Sequence, residues 1–164
     1  QLFYVNSFSK MLSITGWRIG YLITSDKNME KIKSIHDYTG LCAPSILQEA
    51  IAMYLEQEDF GRIYIAKLRD KLKASFNLLS GELMKMEFKI PVIEGGYFIW
   101  AKLPDQFSDG FKFAVDLFEQ EKVAVIPGIH FSEKAKDFIR FNIAHEIDII
   151  EKALAHIKKF VQNA

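Results

Sequence analysis

Apolar positions open the chain without a break. Leu2-Phe3-Tyr4-Val5 has the continuous character of a strand buried on both faces. Asn6-Ser7-Phe8-Ser9-Lys10 then interrupts the run, and after Thr15-Gly16 apolar residues return over residues 17–23 until Thr24-Ser25-Asp26 stops them. This pattern predicts two strands on either side of a polar, lysine-bearing loop. Residues 29–38 read as an amphipathic helix capped by Asp26 or Asn28, and Pro44-Ser45 opens a second helix to about residue 57, with Ser45 and Gln48 at capping-box spacing. Ile63, Ile65, Leu68, Leu72, Phe76, Leu79, Leu83 and Met86 follow Gly61 at approximately helical intervals, which predicts one long helix to about residue 86. After a loop at residues 91–96 come a strand at 97–103, a helix at 111–120, a short buried strand at 123–126 ended by Pro127-Gly128, a strand at 138–143 and a closing amphipathic helix at 147–161. The interleaving of strands and helices predicts an α/β or α+β architecture, divided into residues 1–60 and 61–164.

Charge narrows the partners. The 164 residues carry 21 Lys plus Arg against 21 Asp plus Glu, so no bulk field draws the chain to nucleic acid or to an anionic membrane. A hydrophobic fraction of 49% is enough to bury a core, and the lone Cys42, expected to be a small buried hydrophobe, offers no internal disulfide. No run approaches the roughly 18 apolar residues of a membrane span. The expectation is a soluble, cytoplasmic protein with no nucleic-acid or membrane partner. Because Leu2 to Val5 forms a strand with no cap, turn or partner before it, the chain reads as a piece of a longer polypeptide.

The chemistry concentrates in Ser7-Phe8-Ser9-Lys10-Met11-Leu12-Ser13-Ile14-Thr15-Gly16-Trp17-Arg18-Ile19-Gly20-Tyr21. At the end of a buried strand, partial desolvation disfavours the ammonium form of a lysine and favours a nucleophilic amine that makes Schiff bases with carbonyls. Ser7 and Ser9 add hydroxyls, and Arg18 adds a planar fork of donors suited to two oxygens of one phosphate. Together they describe a lysine that bonds a phosphorylated aldehyde while its neighbours hold the phosphate.

This segment closely resembles the cofactor-lysine signature of the class I/II aminotransferases, pyridoxal-phosphate enzymes of the fold type I architecture. The resemblance extends through Cys42-Ala43-Pro44-Ser45 with Gln48, Gly95-Gly96-Tyr97-Phe98, Val125-Ile126-Pro127-Gly128 with Phe131, and Phe138-Ile139-Arg140-Phe141. It implies that the chain holds the end of a large pyridoxal-phosphate-binding domain (residues 1–60) and a small C-terminal α/β (α+β) domain with its connecting helix (61–164). It implies pyridoxal 5'-phosphate as cofactor, Lys10 as its covalent tether and as the base that moves a proton at the substrate Cα, and Ser7 and Arg18 as its phosphate ligands, with the Ser9 hydroxyl as a further cofactor-binding candidate. Arg140 is the implied ligand of the substrate α-carboxylate. The implied reaction transfers an amino group between an L-amino acid, aspartate or aromatic, and a 2-oxo acid, in a homodimer. Groups that the family places before its lysine are not in this sequence, so the chain alone is expected to be inactive. Ser132 departs from the family, which commonly has glycine after the phenylalanine of the Pro-Gly-x-x-Phe segment.

Other readings compete with this one. Taken singly, Lys10 is a solvated loop lysine and Arg140 a salt-bridged strand residue; only their joint spacing with Ser7 and Arg18 argues otherwise. Ser7 to Lys10 also fits the S-x-x-K pattern of serine β-lactamases, but no Ser-Asp-Asn or Lys-Thr-Gly accompanies it. Gly95-Gly96 fits a plain turn as well as an active-site lining. The four histidines show no ligand spacing, so no metal is expected. A β-carbon–sulfur lyase of the same fold, or the aminotransferase-like domain of a transcription regulator, is an alternative parent.

Overall fold

The computed structural model describes residues 2–163; Gln1, where the sequence starts ahead of the first strand, lies outside them. The chain divides into two compact units, Gln1–Arg69 and Asp70–Ala164.

In the first unit, β1 (Tyr4–Ser7) pairs antiparallel with β2 (Gly20–Ile23), with Tyr4 opposite Ile23 and Ser7 opposite Gly20. The strands approach so closely at Gly20 that a Cβ there would lie 2.7 Å from the Asn6 carbonyl oxygen, so only glycine fits. Between the strands the chain makes a single helical turn, α1 (Phe8–Met11), and a 3-10 turn at Thr15–Trp17. Helices α2 (Asp26–Thr39) and α3 (Ser45–Gln57) follow. Four local expectations change here. The polar loop read at Asn6 to Lys10 is not one: Asn6 and Ser7 continue β1 and pair with β2, and Phe8, Ser9 and Lys10 lie in α1, whose first turn the Ser7 hydroxyl caps. α2 is preceded by Ser25 in the cap position, a turn earlier than Asn28. Pro44, not Ser45, occupies the cap position of α3, and Gln48 Nε2 donates to the Ala43 carbonyl at 2.7 Å, so no capping box forms. Cys42 is exposed rather than buried.

The largest difference concerns β1, expected to be buried on both faces. Leu2 and Val5 are 75% and 70% exposed, and Ile23 of β2 is 57% exposed. Within this unit Leu12, Ile19 and Ile51 are the buried large hydrophobics, too few to cover a sheet face. The apolar character of the strand is therefore as expected, while the layers that could bury it are not supplied by these residues.

The second unit is built differently. Strands β3 (Phe98–Lys102), β4 (Ile126–Pro127) and β5 (Phe138–Asn142) form an antiparallel sheet in the order β3-β5-β4. Period-two alternation sends Ile99, Ala101, Ile139 and Phe141 to one buried face. Helix α4 (Arg62–Lys85) adds Leu79 and Leu83 to that core, α5 (Gly110–Glu121) adds Phe113 and Leu117, and α6 (Ile147–Asn163) adds Ile150, Leu154, Ile157 and Phe160. The last four recur at intervals of four and three, one stripe of the helix. Phe113 sits edge-on to Phe88, Phe107 and Phe160 with ring centroids 6.0, 4.9 and 5.2 Å away. Asp109 caps α5 by accepting from the amides of Phe111 (2.8 Å) and Lys112 (3.1 Å). β4 is shorter than the expected 123–126 strand because Lys122 turns left-handed after α5 (φ 57°) and Pro127 pairs at the sheet edge, where a residue without an N–H is tolerated.

Glu121 ends α5 with a carboxylate where the helix dipole opposes it, and two side chains of α6 meet it: the Lys159 ammonium, with Nζ at 2.7 Å, and the His156 ring, with Nδ1 at 2.8 Å. Hydrogen bonds from Lys159 and then His156 hold this carboxyl below its ordinary value of 4.5. A carboxylate with a lowered folded-state pKa contributes stability above the unfolded value and loses it as pH falls through the folded one. Urea midpoints taken from about pH 7 down to about pH 3 are therefore expected to fall below pH 4.5, and Glu121→Gln to flatten that decline; an unchanged acid limb in the variant counts against the assignment. Two glycines give a contrast in the same measurement. A Cβ on Gly128 would lie 2.2 Å from the Ala135 carbonyl oxygen, whereas one on Gly81, inside α4, meets nothing within 4 Å. Gly81→Ala is expected to stabilise by about 0.5–1 kcal/mol through helix propensity, and Gly128→Ala to destabilise.

Candidate functional site

Pairing of β1 with β2 does the first work at this site, because it brings the two ends of a twelve-position excursion back together. Ser7 stands opposite Gly20, the Phe8 amide donates to the Ile19 carbonyl (3.2 Å), and the Ser7 hydroxyl donates to the same carbonyl (3.4 Å). Arg18 immediately precedes Ile19, so register alone sets Ser7 and Arg18 at the mouth of one hairpin. Ser7 caps α1 by accepting from the Ser9 amide (3.1 Å). Thr15 Oγ1 donates to the Ser9 carbonyl (3.1 Å), and Arg18 Nη1 donates to the Thr15 carbonyl (3.0 Å). Thr15 thus ties the helical turn to the arginine, a role that its sequence position did not disclose. Arg18 holds a left-handed backbone (φ 56°, ψ 38°), a conformation that costs a non-glycine residue about 1–2 kcal/mol and is characteristic of functional loops.

Lys10 occupies the third position of α1, three residues past the end of β1, and is exposed. The burial expected around it is not supplied by these residues, for the reason given for β1. Ser9 beside it is buried, while Ser7 and Arg18 are exposed. The donor set is one amine, two serine hydroxyls and a guanidinium, and residues 2–25 contain no carboxylate side chain. Such a set suits a phosphorylated aldehyde, since an amine, hydroxyls and a guanidinium are donors to a carbonyl and a phosphate and the segment itself adds no carboxylate.

Arg140 belongs to the second unit. It lies in β5 opposite Trp100 of β3, on the sheet face away from the core. Its guanidinium carbon stands over the ring of Phe98 at 4.1 Å and over that of Phe131 at 4.6 Å. Among the described residues it has no carboxylate partner, so the salt-bridged reading does not apply. Lys102 of the same face does have one, Asp137 at 3.0 Å, and its hydrogen bond and charge hold the Asp137 carboxyl below the usual range. Phe98 and Phe131 are read from sequence only as parts of their motifs, not as neighbours of Arg140. The signal was present, since alternation in β3 and β5 puts Phe98, Trp100, Phe138 and Arg140 on one face.

The neighbouring motifs find local explanations. Gly96 has φ +105° and sits with open space around its Cα, as a turn requires. Ser132, the departure from the family pattern, caps the 3-10 turn at Glu133–Ala135 by accepting from the Lys134 amide (3.2 Å). Asn142 Oδ1 accepts from the Ala144 amide (2.9 Å), and Phe141 is core. Among the described residues no three His, Cys, Asp or Glu side chains gather, and no helix is long and apolar enough to cross a membrane.

Comparison with known proteins agrees with these motifs. The model of the family "Aminotransferase class I and II" matches residues 1–157. The chain is 32% identical over 163 residues to an aspartate aminotransferase of Thermotoga maritima, covering 99% of this chain and 40% of that protein. It is also 32% identical to the (5-formylfuran-3-yl)methyl phosphate transaminase of Methanocaldococcus jannaschii, over 96% of this chain and 41% of that one. A Methanococcus jannaschii crystal structure, described as similar in its active site to kynurenine aminotransferases, superposes with a TM-score of 0.89 at 30% identity, covering 97% of this chain and 42% of its own. The chain thus spans about 40% of the length of the curated relatives it matches. A lysine-bearing hairpin with Ser7 at the end of one strand and Arg18 two residues before the other, a fold shared with these structures and a family match over residues 1–157 lead to one conclusion: this chain belongs to the class I and II aminotransferase family.

Proposed function

We propose that the chain is the C-terminal portion of a pyridoxal-phosphate-dependent aminotransferase that moves an amino group between an L-amino acid, aspartate or aromatic, and a 2-oxo acid. The observation that carries this reading is the β1/β2 hairpin, whose register sets Ser7 and Arg18 around the loop that bears Lys10, with no carboxylate in the segment. In this reading residues 1–60 close a large cofactor-binding domain and residues 61–164 form the connecting helix and small domain of a homodimeric cytoplasmic enzyme.

Pyridoxal phosphate, when bound, draws electrons from the substrate Cα and so acidifies the bond that must break. Everything else falls to side chains. The Ser7 and Ser9 hydroxyls and the Arg18 fork hold the phosphate, Arg18 by charge-assisted bonds that fix orientation as well as affinity. The Lys10 amine would hold the cofactor's aldehyde carbon and, when free, would take the proton from the substrate Cα; one residue held beside the reacting carbon would serve both ends without a bimolecular encounter. Arg140 grips the α-carboxylate through two parallel N–H···O bonds, which sets which Cα bond is aligned for cleavage. The 164 residues alone are inactive in this reading, since they correspond to about 40% of their curated relatives.

In the full-length enzyme, Lys10→Ala is expected to lower kcat at least about 10²- to 10⁴-fold, the usual worth of a positioned acid or base, and to abolish borohydride fixation of pyridoxal phosphate to this peptide. Undiminished turnover, or fixation that survives the substitution, removes Lys10 from its role. Arg18→Gln is expected to weaken pyridoxal phosphate binding roughly ten- to a hundredfold in an equilibrium titration, the loss of one or two hydrogen bonds to a charged partner.

A further inference from the structure

Arg140 is held in an unusual way for a strand arginine. Its guanidinium carbon stands over two phenylalanine rings, Phe98 at 4.1 Å and Phe131 at 4.6 Å. Phe98 is the diagonal neighbour of Arg140 across the β3/β5 ladder, so its place is set by register: Phe98 faces Asn142, and Trp100 faces Arg140. Phe131 comes from the segment after the 3-10 turn at Gly128–His130, and it is buttressed in turn. Trp100 meets it edge-on (centroids 5.5 Å, 80°) and itself stacks on Phe138 (5.6 Å, 15°). The result is a row along the outer face of the sheet, Phe138, Trp100, Phe131, Arg140, Phe98.

Hydrophobic burial does not account for the two rings next to the arginine. Phe98 remains 37% and Phe131 52% exposed, while the core of this unit lies on the opposite face of the sheet. Their common contact is the guanidinium. An arginine has a long stem and many rotamers, and a planar fork grips two oxygens well only when its plane is already oriented. Ring carbon on two sides closes those directions to water and ligand, holds the cation by its attraction to the ring faces, and leaves the N–H edges as the route of approach. A carboxylate arriving there meets donors that need no reorganisation.

We propose that Phe98 and Phe131 are positioning residues that seat the Arg140 guanidinium so that its N–H edge is presented to the substrate α-carboxylate. This rests on the reading of Arg140 as the carboxylate ligand. It makes the ring faces a specificity device: they reward a planar, two-oxygen anion and give nothing to a neutral carboxamide of the same shape.

The test uses the full-length holoenzyme and half-reaction kinetics with L-aspartate and with L-phenylalanine, each against its α-carboxamide. The readout is the ratio of kcat/KM for acid over amide, which is insensitive to the fraction of enzyme that is folded. Phe98→Leu and Phe131→Leu are each expected to lower that ratio roughly three- to thirtyfold, the span of cation–π contacts from exposed to desolvated, with the loss in KM for the acid and kcat little changed. Phe131→Tyr, which keeps the ring face, is expected to restore the ratio to within about twofold. Dissociation constants for succinate and 3-phenylpropanoate, carboxylates without the amino group, should rank the variants in the same order. Arg140→Ala separates the two layers of the argument. If it leaves the acid/amide ratio unchanged, the carboxylate assignment itself is wrong; if it collapses the ratio while both leucine variants keep it, the assignment stands and the aromatic seat is overturned.

Discussion

Antiparallel backbone pairing is the constraint on which every candidate side chain depends. In the first unit the β1/β2 ladder converts a sequence separation of eleven residues into spatial adjacency of Ser7 and Arg18, and it does so only because Gly20 lets the two backbones meet at Asn6. In the second, the β3/β5 ladder divides each strand between two tasks. Ile99, Ala101, Ile139 and Phe141 go to the core, and Phe98, Trp100, Phe138 and Arg140 go to the outer face. The buried half anchors the strands and the outer half inherits their rigidity, which is why a site built on strands can hold an angle that a loop cannot.

The two units satisfy this constraint to different degrees. The second closes a core in which α4, α5 and α6 cover one sheet face and Phe113 is enclosed by three other rings. The first keeps its hairpin but leaves the apolar residues of β1 in contact with solvent. Lys10 shares that situation: its loop is shaped by local hydrogen bonds through Ser7, Ser9 and Thr15, whereas burial of the amine requires groups that these residues do not provide. Geometry at this site is therefore local, and its dielectric environment is not.

Arginine chemistry links the two proposed binding sites. Arg18 is set by a strained backbone and one bond from its own side chain to the Thr15 carbonyl, a short-range device suited to a loop that wraps an anion. Arg140 is set by rings from two other segments and by strand register, a long-range device suited to a rigid sheet. Lysine could replace neither, since an ammonium has no plane to orient and no face to stack.

The sequence by itself determined the family, through Ser7, Lys10 and Arg18 at fixed spacing and through Gly128 and Arg140 downstream. It also determined the order of the longer helices and strands, though not the turn α1 that carries Lys10, because periods of two and of about 3.6 are written in which positions are apolar. The long helix and the strand around Arg140 were legible for that reason, and the capping of α3 and the length of β4 were not, since both turn on local backbone hydrogen bonds that Pro44, Lys122 and Pro127 redirect. Tertiary structure alone decided that Leu2 and Val5 are exposed, that Thr15 bridges Ser9 to Arg18, and that Phe98 and Phe131 stand over Arg140. Burial and ring contacts depend on which distant segments arrive at a surface and at what register, and periodicity along one chain specifies which face a residue takes but not what meets it there.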